Sequence, residues 1–93
     1  MTAIRLPRVA SFRQLAKEIV ANSTIEEGSN IEVDGGDVVA STPSFIDELL
    51  RDIASRKPAT ITIVDADPEL LKDAQSVANH MNVKLHTRTS TLS

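Results

Sequence analysis

Apolar residues recur at helical spacing in three stretches, and short alternating or β-branched runs separate them. Phe12, Leu15, Ala16, Ile19 and Val20 fall on one face of a first helix. Ser11 opens that stretch and Gln14 follows it at capping-box spacing, which predicts a helix start at Ser11. Phe45, Ile46, Leu49, Leu50 and Ile53 define a second helix from about Ser44 to Arg56, with Asp47, Glu48, Arg51 and Asp52 outside. Thr42 is its expected N-cap. Pro43 suits the first helical position, because proline has no N–H to leave unsatisfied there and its φ is already helical. Asp67 and Pro68 repeat that signal before a third helix, whose apolar face is Leu70, Leu71, Ala74, Val77, Ala78 and Met81.

Four strands are expected around these helices. Residues 2–6 end at Pro7; Ile31 and Val33 alternate with Glu32; 59–66 is β-branched; and 83–87 forms a last short strand. Asp34-Gly35-Gly36-Asp37 is a turn signal that permits a hairpin with Val38-Val39-Ala40 as its returning arm. An extended lead-in to the second helix is the preferred reading of Val38–Ala40. The element order is then β-α-β-α-β-α-β. It predicts one small α/β domain over residues 1–88, with a mainly parallel or mixed sheet crossed by helices, and a polar tail over 89–93.

Composition narrows the chemistry. The chain has 93 residues, of which 41% are hydrophobic, with two Phe and no Tyr or Trp, so its core must be aliphatic. The absence of cysteine excludes disulfides, thiolate metal sites and cysteine nucleophiles. A net charge of −3 argues against nucleic acid as a partner; Arg5, Arg8, Arg13 and Lys17 read as solvated surface. The N-terminus has no long apolar region of the signal-peptide kind, and no run approaches the roughly 20 apolar residues of a membrane span. A cytoplasmic protein without membrane insertion is expected.

No enzymatic constellation emerges. His80 and His86 have no metal-ligand spacing with other candidates, and Gly35-Gly36 is not a phosphate-cradling motif. Val64 to Leu71, VDADPELL, is similar to the acidic turn of receiver domains, where paired acids hold Mg²⁺. Only 26 residues follow Asp67, too few for the rest of a receiver. Asp67 is therefore read as a helix cap and Asp65 as a strand end. No cofactor or metal is expected.

The segment IEVDGGDVVASTPSFIDELLRDI carries a family resemblance. A strand ending in Asp34, a stretch through Gly36 and Val38, and a helix start at Ser44, Phe45, Asp47, Glu48 and Leu49 resemble the STAS-like proteins, relatives of the sulphate-transporter and anti-sigma-factor-antagonist domain. The resemblance spans residues 31 to about 66. It implies an α/β domain without catalytic activity that docks a partner protein through the loop at the N-terminus of the second helix. The implied partner is a kinase-like ATPase or a sigma-factor regulator, and the implied control is phosphorylation of a hydroxyl in that loop. Many family loops read Asp-Ser-Ser-Gly or Asp-Ser-Thr-Gly; here the loop reads Ser41-Thr42-Pro43-Ser44, so the matching phosphoacceptor is Thr42 or Ser44. Asp34, Ser41, Thr42, Ser44, Phe45, Asp47 and Glu48 are the resulting candidate residues. Two other readings stand beside this one: the hydroxyls only cap a helix, or the domain is a structural subunit of a larger assembly such as a transporter.

Overall fold

The structure, a computed structural model, describes residues 2–89. Strands β1 (Thr2–Arg5), β3 (Asn30–Asp34), β5 (Thr60–Val64) and β6 (Leu85–Arg88) form one sheet in that order, every neighbouring pair parallel. Helices α1 (Arg13–Ala21), α2 (Pro43–Ala54) and α3 (Pro68–Met81) make the three crossovers. Each crossover advances one strand in the same direction. Right-handed connections then place all three helices on one face, where α1 packs on α2 and α2 on α3. The α/β fold expected from the alternation is the one observed.

Period-two alternation sorts the sheet into two faces. Ile4, Ile31, Val33, Ile61 and Ile63 point at the helices and are buried. The middle helix supplies Phe45, Ile46, Leu49, Leu50 and Ile53, all at or below 1% exposure. Its flanking helices bury mostly smaller side chains, Ala16 and Val20 on α1 and Ala74 and Ala78 on α3, beside Leu70 of α3. α2 lies between two neighbours and so needs the widest apolar stripe; the alanines let those neighbours approach.

The opposite face is polar. Ala3, Glu32, Thr62 and His86 stand in one cross-strand row, and Arg5, Asp34, Val64 and Arg88 in the next. Parallel sheets are usually covered on both sides. Here cross-strand pairs satisfy the open side instead: Arg88 donates to Glu32, Arg5 Nε lies 4.0 Å from Asp34 Oδ2, and Thr60 donates to Asn30 at 2.8 Å. β5 is a central strand with Ile61, Ile63 and Val64 buried, and Thr60 and Thr62 are half-buried on the side away from the helices.

The preferred reading of Val38–Ala40 holds over its alternative, and the expected start of α1 needs correction. The returning arm of a hairpin does not form. Strand β4 (Ala40–Ser41) pairs in parallel with β2 (Val9–Ala10), a two-stranded arm separate from the main sheet. Val38 through Ser41 is the extended lead-in to α2, held to the chain after β1: the Val39 and Ala40 N–H groups both donate to the Arg8 carbonyl. Helix α1 starts at Arg13 and its N-cap is Phe12, with no side-chain cap bond, so the Ser11–Gln14 capping box is not made. Ala10 is locked in the arm, and the Ser11 carbonyl accepts from Thr42 Oγ1 at 3.1 Å. This tie holds Ser11 and Phe12 out of the helix. The expected tail over 89–93 falls mostly on residues 90–93, which lie outside the described residues; β6 ends at Arg88.

Candidate functional site

The loops leaving β1, β3 and β5 gather at the C-terminal end of the sheet, where parallel α/β folds characteristically place ligands. The loop after β3 turns sharply. Asp34 Oδ1 accepts from the Gly36 N–H at 2.8 Å, and Gly35 N–H donates to the Val64 carbonyl at 2.8 Å. A Cβ on Gly35 would stand 3.3 Å from the Ala66 Cβ, so any side chain here would crowd the close approach of the β3 and β5 loops. Asp34 thus shapes its own turn and faces Arg5, apart from the hydroxyl cluster.

That cluster forms at the start of α2. Thr42 is the N-cap and Pro43 begins the helix, as the sequence predicts. Its hydroxyl accepts from the Phe45 N–H at 3.3 Å and donates to the Ser11 carbonyl at 3.1 Å. It also lies 3.2 Å from Ser44 Oγ. A hydroxyl has one hydrogen, and Thr42 gives its own to Ser11; the shared bond therefore takes Ser44 as donor. Thr42 is fully engaged, whereas Ser44 makes one replaceable bond from a half-buried position in the first turn. Adding a group to Thr42 would disturb three contacts, two within the first turn of α2 and one, to Ser11, that ties α2 to the α1 segment. Adding one to Ser44 would break a single contact. The two candidate hydroxyls are unequal: Thr42 makes three contacts and Ser44 one.

The remaining candidates divide by burial. Phe45 is 0% exposed and belongs to the core, so it anchors the loop from beneath. Ser41 is half-buried in β4. With Pro43 it lines a polar recess against Glu69, Lys72 and Asp73 of α3. Asp47 and Glu48 lie one turn into α2 and turn toward α1. Arg13 Nη1 reaches Asp47 Oδ2 at 2.9 Å and Glu48 Oε1 at 3.6 Å, and Arg51 Nε holds Asp47 Oδ1 at 2.8 Å. Arg13 and Arg51 keep the Asp47 carboxyl below the usual carboxylate range, and Asp47 in turn holds the Arg13 guanidinium more firmly charged. Asp52, the next acid on this face, is pushed up by burial and by a hydrogen bond to Glu48. Through Arg13, Asp47 and Glu48 clamp α1 to α2 beside the loop.

Elsewhere, Asp67 caps α3 by accepting from the Leu70 N–H at 2.8 Å, and Asp65 ends β5 with a left-handed φ of 57°. His80 lies against the Ser76 carbonyl on α3, and His86 is exposed on the polar sheet face. Among the described residues no group of three or more His, Asp or Glu is placed to hold a metal ion, and no helix is long and apolar enough to cross a membrane.

Three residues at this end of the molecule were not legible as surface. Val9, Phe12 and Val39 are the large hydrophobic side chains exposed among the described residues, at 53%, 70% and 66%. All three belong to the arm and its junctions with α1 and α2. Phe12 has correct helical spacing to Leu15 and Ile19, which disguises it as core; the only hint was its place next to Ser11, where a polar cap is expected. No family model, no curated protein and no solved structure matches this chain.

Proposed function

We propose that the chain is a non-catalytic, STAS-like interaction module that acts in the cytoplasm by docking a regulatory protein at the N-terminus of α2, with Ser44 as the phosphoacceptor that controls the contact. The observation that carries this reading is the inequality of the two hydroxyls: Thr42 is consumed by three bonds that fix the loop, and Ser44, half-buried beside it, has one. A fixed loop with one replaceable hydroxyl suits a surface read by both a kinase and a partner. A phosphate there would add roughly −1.5 to −2 charges. The positive end of the α2 macrodipole tolerates that charge within the fold, while an acidic docking surface would be repelled. The partner proposed is a kinase-like ATPase or a sigma-factor regulator, in keeping with the family resemblance of residues 31–66.

The test is capture from host extract on immobilised wild type, Ser44→Ala and Ser44→Asp. The retained protein is then purified and its affinity measured at equal folded fraction. The proposal expects one regulatory protein that binds wild type and Ser44→Ala alike and Ser44→Asp at least tenfold more weakly, about 1.4 kcal/mol. Equal affinity for all three would leave Ser44 a structural residue. Retention of transport subunits regardless of Ser44 would favour the accessory-subunit reading.

A further inference from the structure

Ser44 stands three and four residues before Asp47 and Glu48, so the three side chains share one face of α2, and helical geometry tilts the two acids back toward Ser44. The same face meets α1. Thr42 Oγ1 donates to the Ser11 carbonyl and lies 3.2 Å from Ser44 Oγ, so one hydroxyl bridges Ser44 to the chain two residues before Arg13. Arg13 opens α1 and crosses to Asp47 at 2.9 Å and to Glu48 at 3.6 Å. Its side chain is exposed, which leaves the guanidinium room to turn.

A phosphate on Ser44 would enter this group as its strongest acceptor. Helix N-termini usually hold phosphate through free backbone N–H groups, but α2 has few to offer. Pro43 has none, the Phe45 N–H is given to Thr42 Oγ1, and the Ile46 N–H to the Thr42 carbonyl. Within these first four positions that leaves the N–H of Ser44 itself, so a side chain has to meet the charge. Arg13 is the guanidinium already on this face. A guanidinium holds phosphate through two parallel N–H···O bonds, whereas Arg13 now makes one short bond to Asp47 and a longer approach to Glu48. The other cations are worse placed. Arg51 lies two turns further along α2 and is tied to Asp47 Oδ1 at 2.8 Å. Lys72 of α3 lines a recess with Ser41 and Pro43, and not with Ser44. Resting on the reading of Ser44 as the phosphoacceptor, we infer that phosphorylation draws Arg13 away from Asp47 and Glu48 and onto the phosphate. The exchange releases the two acids unequally. Asp47 keeps Arg51, whereas Glu48 loses its cation and keeps only its hydrogen bond with Asp52. A partner then meets the change twice, at the phosphate and at a Glu48 carboxylate uncovered one turn away.

Phosphoserine installed at position 44 of the whole chain by amber-codon incorporation tests this without a kinase. Phosphorus NMR follows the second ionisation of the phosphate, ordinarily near pH 6. A bonded guanidinium favours the dianion, so the phosphate should titrate about half a pH unit or more lower in wild type than in Arg13→Gln. Arg13→Lys keeps the charge without the fork and should fall between them. Arg51→Gln is the control, because it too takes a cation from Asp47; it should leave the phosphate where it is, as should Lys72→Gln. In the same samples the Arg13 Nε–H resonance should move on phosphorylation while that of Arg51 holds. A phosphate indifferent to Arg13→Gln, or one that responds as much to Arg51→Gln or Lys72→Gln, overturns the inference. So does a phosphoprotein whose circular dichroism shows the fold lost, since the exchange needs α1 and α2 in place. A phosphate held by Arg13 in a chain that binds its captured partner as well as the unmodified one would uphold this inference and remove Ser44 control. A partner rejected by the phosphoprotein whose phosphate ignores Arg13 would do the reverse.

Discussion

Replacing Thr42 with alanine removes one oxygen that serves three neighbours, and the cost can be worked from them. Loss of the N-cap bond to the Phe45 N–H costs about 0.5–2 kcal/mol. Loss of the bond to the Ser11 carbonyl costs about 0.5–1.5 kcal/mol; Ser11 is half-buried, so water can partly replace the donor. The Ser44 hydroxyl can turn to solvent and adds little. Thr42→Ala should therefore lose about 1–3 kcal/mol, a considerable fraction of the roughly 5–15 kcal/mol that holds a typical domain. Thr42→Ser keeps the oxygen and should stay within about 0.5 kcal/mol of wild type. Thr42→Val keeps the shape without the oxygen and should behave like Thr42→Ala. Equilibrium urea unfolding followed by circular dichroism gives the three midpoints, compared at unchanged slope. If the serine variant is as unstable as the alanine variant, the hydroxyl is not what holds α2 to the α1 segment. The deduction that Thr42 is too engaged to be the phosphoacceptor would fall with it.

Leu49 is 1% exposed under the middle helix, so Leu49→Ala should cost about 2–5 kcal/mol; an unchanged urea midpoint would mean that α2 presents a different face to the sheet. Gly28 has a φ of 81° with open space where a Cβ would go, so Gly28→Ala should cost about 1 kcal/mol through backbone strain alone, and a neutral result would show that this turn relaxes. Burial and Glu48 raise the Asp52 pKa, so its charged form opposes folding above that raised value and the penalty fades as pH falls through it. Asp52→Asn should raise the urea midpoint at pH 7 and lose that advantage in acid, and a lower midpoint at pH 7 would contradict the assignment. Arg13 and Arg51 lower the Asp47 pKa, so its contribution is complete above the ordinary carboxylate range and disappears as pH falls through the depressed value. Asp47→Asn should therefore lower the midpoint at pH 7, less so in high salt and not at all in strong acid; a salt-independent loss would point to packing instead.

What the sequence discloses depends on how far apart the deciding residues lie. The starts of α2 and α3 were legible because Thr42-Pro43 and Asp67-Pro68 carry both cap and first turn within a few residues. The parallel sheet followed from the alternation of elements, and the buried central strand from the β-branched run that ends in Ile63 and Val64. The start of α1 was not legible. Ser11 and Gln14 satisfy the local rule, but a hydroxyl 31 residues away claims the Ser11 carbonyl and straightens the chain through Phe12. The β2–β4 arm was hidden for the same reason: two-residue strands have no period of their own, and their partners meet only after the main sheet has formed. Within the loop, spacing placed Phe45 on the apolar face of α2 while the family resemblance made it a docking candidate beside Ser44; its burial shows it to be an anchor. Val9, Phe12 and Val39 show the converse, since an apolar residue at helical or strand spacing reads as core unless something discloses that nothing covers it.

The central claim is that the arm and the N-terminus of α2 form one docking face, while the polar side of the sheet is simply solvated. An amide-resolved NMR titration with the regulatory protein captured on the wild type measures this most directly. Residues 8–12 and 39–45 should shift together and saturate at one affinity, with Glu32, Thr62 and His86 unmoved. Shifts centred on Glu32, Thr62 and His86, with the arm and the Thr42 cap unchanged, would contradict the account and place the partner on the open face of the sheet.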